Sequence, residues 1–207
     1  MHLLLTDRLI CPRCGPGFGL ILRADVLEER QVEAGGLGCP NCREVYPVAA
    51  GVGDLRPPPR EPTPPPEAGA PPDGEEVFRA QALLGLQGGA GWLLLLREAS
   101  RYAPGLAERL PEFGVVATNL PQRTKEGSRT AESVIRVGTP LPFEARTLQG
   151  VLVEGPVSRG MLREAARVLA PGHRVVALNA EGAAGDILIA SGLTVRLREG
   201  GVIVADR

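Results

Sequence analysis

MLREAARVLAPGHRVVAL, residues 161–178, holds two kinds of local structure end to end. Ser158, three residues upstream, carries the hydroxyl that caps a helix N-terminus, and the apolar spacing predicts a helix from there to Leu169. Pro171 and Gly172 end that helix. Residues 173–179 (HRVVALN) then read as a strand. A helix that closes on Pro-Gly and feeds an apolar strand is half of a βαβ unit, and extending the unit in both directions gives the fold class.

Upstream, residues 149–154 (QGVLVE), 133–137 and 113–118 (FGVVAT) read as further strands. Downstream, residues 181–190 are predicted helical. Residues 193–198 and 202–205, split by Glu199-Gly200-Gly201, predict a closing antiparallel hairpin. Further back, LLGLQGGAGW (residues 83–92) sets a glycine cluster between two apolar runs. It predicts a first strand at 82–86, a tight turn and a helix over 91–102. Such a turn lets a ligand approach the backbone, although glycine turns also join strands to helices for steric reasons alone. Residues 118–133 are polar, proline-interrupted and without helical spacing, which predicts a loop. Strands alternating with helices predict a mostly parallel sheet covered by helices.

All four cysteines lie near the other end of the chain: Cys11 and Cys14 in CPRC, Cys39 and Cys42 in CPNC, with 24 residues between the pairs. Two residues between cysteines let both thiolates grip one ion from a single turn, and two such knuckles complete a tetrahedral site. Two disulfides, or a redox Cys-x-x-Cys, are the competing readings. The first needs an oxidising compartment, and the second usually occurs once, at a helix start. Zinc is expected over iron, which shares the knuckles in rubredoxin-like sites. Four thiolates leave no open position, so the zinc is read as structural, a staple for a module too small to hold itself together.

Between these regions, RPPPREPTPPPEAGAPPDGEE (residues 56–76) is too rich in proline to pair in a sheet or continue a helix. It reads as an extended, semi-rigid spacer, with a proline-motif ligand as the lesser alternative. The chain therefore divides into a cysteine module at 1–55, a linker at 56–76 and an α/β domain at 77–207. Formal net charge is −1 and aromatic residues make up 3% of the chain, so direct nucleic-acid binding is disfavoured. The basic residues are nearly all arginine, Lys125 being the single lysine, a pattern of GC-rich codon usage. No stretch has the roughly 20 apolar residues of a membrane span, and the first residues lack a signal peptide's features. A cytoplasmic protein is expected.

LLTDRLICPRCG followed by LGCPNCREVYPV resembles the small zinc-ribbon family that activates transfer-RNA and release-factor methyltransferases. Tyr46-Pro47 is the most telling pair; the family's Asp-Gly-Ile is here Ala50-Gly51-Val52. The resemblance covers most of residues 3–55 and implies a partner-binding module. A generic zinc ribbon that steadies an N-terminus is the alternative. Residues 80–207 resemble the class I S-adenosylmethionine-dependent methyltransferases. Residues 161–178 match the family's helix–Pro-Gly–strand segment, and Pro142-Phe143 with 149–154 matches the passage into its fourth strand. The resemblance implies a Rossmann-like domain with a mostly parallel sheet and a C-terminal antiparallel hairpin.

It also implies positions for the cofactor. The family's first motif, an acid followed by Gly-x-Gly-x-Gly, puts the acid on Gly85 and the first glycine on Gln87; Gly89 and Gly91 match. The carboxylate that grips the ribose falls on Asn119, and the aspartate near the adenine falls on Gly138-Thr139. Three acids are thus replaced together. The family's N-terminal lid helices are expected to be absent. Glu154, ending the fourth strand, is a candidate general base, although strand-end glutamates are more often salt-bridged. His173 reads as a turn residue and His2 as part of a frayed end. Three functions are weighed: a non-catalytic accessory or scaffold protein acting through protein partners, an active S-adenosylmethionine-dependent methyltransferase with a divergent site, and a nucleic-acid binder acting through the ribbon.

Overall fold

The computed structural model describes residues 1–60, 70–86, 88–118, 132–180 and 182–207. Strands β7 (Gly91–Arg97), β8 (Phe113–Thr118), β9 (Glu132–Arg136), β10 (Leu148–Glu154) and β11 (Leu169–Leu178) form a parallel sheet in the order β9-β8-β7-β10-β11. Beyond β11 lies the antiparallel pair β13 (Val202–Asp206) and β12 (Thr194–Glu199). This mixed α/β sheet, mostly parallel at its centre and ending in a hairpin, is the class expected. Strand β7 shows why the inner strands are uniformly apolar. Trp92, Leu94 and Leu96 enter one core, while Leu93 and Leu95 enter a second core on the opposite face. Helices α3 (Arg159–Val168) and α4 (Ala184–Ala190) cover the first face; α1 (Gly74–Leu84) and α2 (Ala103–Arg109) cover the second.

The glycine-rich stretch folds differently from the expectation. Residues 82–84 belong to helix α1, not to a strand, and residues 91–97 are a strand, not the start of a helix. Asp73 accepts from the Glu76 amide (2.8 Å) while Glu76 accepts from the Asp73 amide (3.0 Å), a reciprocal cap that starts α1. Val77, Ala80 and Leu84 face the core, and Gly85, in the left-handed region at φ 72°, ends the helix. A five-residue apolar run is ambiguous by period alone; here WLLLL is a strand buried on both faces. A short 3₁₀ turn, Glu98–Tyr102, precedes α2. So a helix does come before the first parallel strand, contrary to the expected absence. Smaller differences follow: α3 ends at Val168, β11 already begins at Leu169, and α4 begins at Ala184. The loop expected over 118–133 lies almost wholly outside the described residues.

The N-terminal module consists of a small hairpin, β1 (Ile10–Cys11) with β2 (Gly15–Gly19), and an antiparallel run β3 (Ile21–Glu28), β4 (Gln31–Gly38), β5 (Val45–Ala49) and β6 (Val52–Asp54). Strand β6 pairs in parallel with β9, Val52 opposite Val134, so the module prolongs the central sheet to eleven strands. Residues 1–9 fold back across the same face as α3. Leu5 and Leu9 join the first core, and the Ile10 amide donates to Pro142 (3.0 Å). His2 is accordingly not frayed. It is buried, its amide donates to Ser133 Oγ (2.9 Å), and its ring packs beside Trp92.

Candidate functional site

Two places in the fold gather chemistry. At the first, Cys11 and Cys14 flank the turn between β1 and β2, with Gly15 at φ 82° just beyond, and Cys39 and Cys42 flank the turn between β4 and β5. The four Sγ atoms all lie within 4.8 Å of one another. Cys11 and Cys42 are 3.8 Å apart, as are Cys14 and Cys39. A tetrahedron with metal–sulfur bonds of about 2.3 Å has edges of about 3.8 Å, so the geometry fits zinc. All four cysteines are free, with their sulfurs gathered as one cluster and not as two bonded pairs. Supporting groups surround the sulfurs. The Cys14 amide donates to Cys11 Sγ (3.4 Å), Asn41 Nδ2 donates to Cys14 Sγ (3.3 Å), and the buried Tyr46 hydroxyl lies 3.5 Å from Cys11 Sγ. Burial raises the Cys11 thiol, but bonds from Tyr46 and from the Cys14 and Arg13 amides outweigh it, leaving Cys11 near about 7. Such bonds favour thiolate, the form a metal needs.

The second place is the carboxyl end of the parallel strands. Strands β7 and β10 are neighbours whose following segments leave to opposite faces, the switch point where open α/β sheets form their ligand crevice. Here that crevice is bridged. Arg101, from the turn after β7, donates from Nε to Glu154 Oε2 and from Nη2 to Glu154 Oε1, both at 2.9 Å. Asn179, just after β11, adds a bond from Nδ2 to Glu154 Oε1 (3.2 Å). The Glu154 side chain is 4% exposed, and its partner's Nη2 also reaches the Tyr102 hydroxyl (3.2 Å). Beside it, the Ser100 hydroxyl meets Leu95 and Thr118 carbonyls (3.2 and 2.9 Å) and accepts from the Thr118 amide, tying the ends of β7 and β8 together.

By sequence, no protein family and no curated protein matches the chain. By structure, it is similar to the [4+2]-cyclase SpnF, with a TM-score of 0.50 at 13% identity over 60% of this chain and 58% of that one. It is also similar to a complex of the Haloferax volcanii Trm112 methyltransferase activator with a methyltransferase (TM-score 0.46, 15% identity, 58% of this chain and 68% of that chain). A third is a geranyl diphosphate methyltransferase in complex with SAM (TM-score 0.48, 13% identity, 64% and 85%). The sheet resembles those of methyltransferase folds. At these identities the likeness is one of fold, and function belongs to the site.

The observed strand order moves the predicted cofactor positions. With β7 as first strand, the turn that should carry the glycine motif is REASRY, residues 97–102, and no glycine occurs between Gly91 and Gly105. Ala99, Ser100 and Tyr102 fill it with buried side chains. Gly91 begins β7 and Gly89 lies just before it, at the opposite end of the strand from Glu154, so the structure does not bring them together. Their assignment as cofactor contacts depended on a strand at 82–86, which is helix. Gly85 is the α1 cap, against which the Arg174 guanidinium lies. Gln87 and Asn119 lie outside the described residues. Gly138-Thr139 follows β9, and Thr139 approaches Gly160 at the start of α3. The residues present at the switch point do not fit S-adenosylmethionine seated on a glycine turn. Glu154 is where expected, but both its oxygens are engaged, which suits an ion pair and not a general base. Arg101 had no sequence signal, because its stretch reads as mid-helix. Among the described residues, no helix is long and apolar enough to cross a membrane.

Proposed function

We propose that this chain is a non-catalytic accessory or scaffold protein: a zinc ribbon at 1–55, tethered through 56–76 to a methyltransferase-like domain at 77–207 that has given up its cofactor site, working through protein–protein binding. The observation that carries this is the Arg101–Glu154 bridge. A buried bidentate pair spans the crevice in which the fold would hold a ligand, and separating it to admit one leaves a carboxylate without compensation. Cys11, Cys14, Cys39 and Cys42 would hold the zinc, which when bound cross-links the two hairpin turns. Exposed Ile21 and Val45, in one row of the outer face of β3–β5, supply apolar surface for a protein partner.

Calorimetric titration of the zinc-loaded protein with S-adenosylmethionine and S-adenosylhomocysteine tests the reading. No saturable heat is expected for either. Micromolar binding that disappears in Gly155→Trp would instead establish the alternative, an active methyltransferase with a divergent site.

A further inference from the structure

Next to the bridged crevice, a cavity of about 540 Å³ opens between the segments that follow β10 and β11. That is within the roughly 300–1,000 Å³ of small-ligand sites. Val153, Val157, Leu162 and Ala177 provide apolar wall, and among the described residues the polar side chains lining it are Glu98 and Asn179. Glu98 offers a carboxylate; Asn179 has one amide N–H committed to Glu154, which leaves its Oδ1 and a second N–H. The Glu98 carboxylate rests against Gly155, where an added Cβ would stand 2.6 Å from its oxygen. Among the described residues Glu98 makes no ion pair, and no Lys, Arg or His lines the cavity. Of the nearby backbone groups, the Met161 amide at the start of α3 donates to Ser158 Oγ (3.2 Å), and Pro156 has no N–H.

An apolar cleft whose described lining carries one carboxylate and no cation is matched by a positively charged donor. We infer that this cleft binds a cationic nitrogen, ammonium or guanidinium, on an apolar stem. The charge meets Glu98 and Asn179 Oδ1, and the stem lies along Val153 and Leu162. A ligand whose charge is a carboxylate is repelled by Glu98. The nitrogen can come from a free amine or from a lysine side chain of a protein partner.

Isothermal titration with phenethylamine, 2-phenylethanol and 3-phenylpropionate separates charge from shape, since the three share an apolar body. Saturable binding of the amine is expected, at least tenfold tighter than the alcohol, with none for the acid. Glu98→Gln, at an exposed position, should weaken the amine tenfold without moving Tm, and Ala180→Trp should abolish binding by filling the cleft. Equal affinity for amine and alcohol, an amine affinity indifferent to Glu98→Gln, or no saturable binding of the amine would each overturn the inference. A fourth titration, with lysine acetylated at Nα and amidated at its carboxyl, assigns the source. Affinity within tenfold of phenethylamine points to a protein side chain, and exclusion of the capped residue points to a free amine. These titrations are independent of the S-adenosylmethionine measurement, so either reading can fail alone.

Discussion

Single side chains carry the two statements most open to test. Glu154 is buried and held by Arg101 through two bonds of 2.9 Å. Removing one partner of such a pair costs far more than the pair contributes, because the other charge is stranded. Arg101→Ala should therefore destabilise by about 3 kcal/mol, the low end of the buried-pair range because Arg101 is 22% exposed. Glu154→Gln in the same background should recover most of the loss. Urea denaturation of the four species checks this, and additive losses would show that the residues do not act together. Asp54 offers a pH test. Burial raises its carboxyl, but hydrogen bonds from the Arg56 side chain and amide outweigh it, so its pKa lies below the ordinary 3.8. A depressed carboxylate stabilises the fold above the unfolded value, and that stability is lost as pH falls through the folded one. Asp54→Asn should thus cost about 1 kcal/mol near pH 7. The difference from the unaltered protein should begin to shrink below pH 3.8, as read from denaturation midpoints across pH.

Among the secondary-structure elements, legibility from sequence tracked how local the determining contacts are. Helix α3 was readable because its cap, Ser158, sits beside it, whereas Pro171-Gly172, read as its terminator, lie inside β11, which already begins at Leu169. The cysteine cluster was readable because each half is a single turn. Strand β7 was not, since WLLLL owes its conformation to strands 20 and 60 residues away in the chain, with Gly91 opposite Phe113 and Leu93 opposite Gly150. The Arg101–Glu154 bridge joins residues 53 apart and leaves no local trace at all. One glycine does betray the pairing. Gly114 lies opposite Trp92, and a side chain there would run into the indole. Gly114→Val should force the ring aside at a cost of about 1–3 kcal/mol. Trp92 is the single tryptophan, so its emission should shift while the denaturation midpoint falls. An unchanged spectrum would mean the ring does not cover that strand.

Across the whole molecule, Cys39 and Cys42 lie on the turn between two strands of the eleven-stranded sheet that holds the parallel strands, Cys11 and Cys14 lie on the separate β1–β2 hairpin, and Cys11 and Cys39 share one core face with Leu94 and Val151. Metal loss should then be felt well beyond the turns that bind it. Purified protein is expected to contain about one zinc per chain, lost in the Cys39→Ser, Cys42→Ser double variant. Calorimetric melting should show one transition that moves to lower temperature on zinc removal. Two transitions, with only one responding, would show that the halves unfold separately.

The pairing of β6 with β9 is three residues long, and Leu5, Leu9 and the Ile10 amide add to the same junction. Residues 56–76 place both halves on one chain, which turns their meeting into an intramolecular event at an effective concentration on the order of millimolar. The contact is then saturated at every protein level. The stoichiometry of ribbon to sheet is fixed at synthesis, and no exchange with a competing partner at that edge can occur without first displacing a tethered rival.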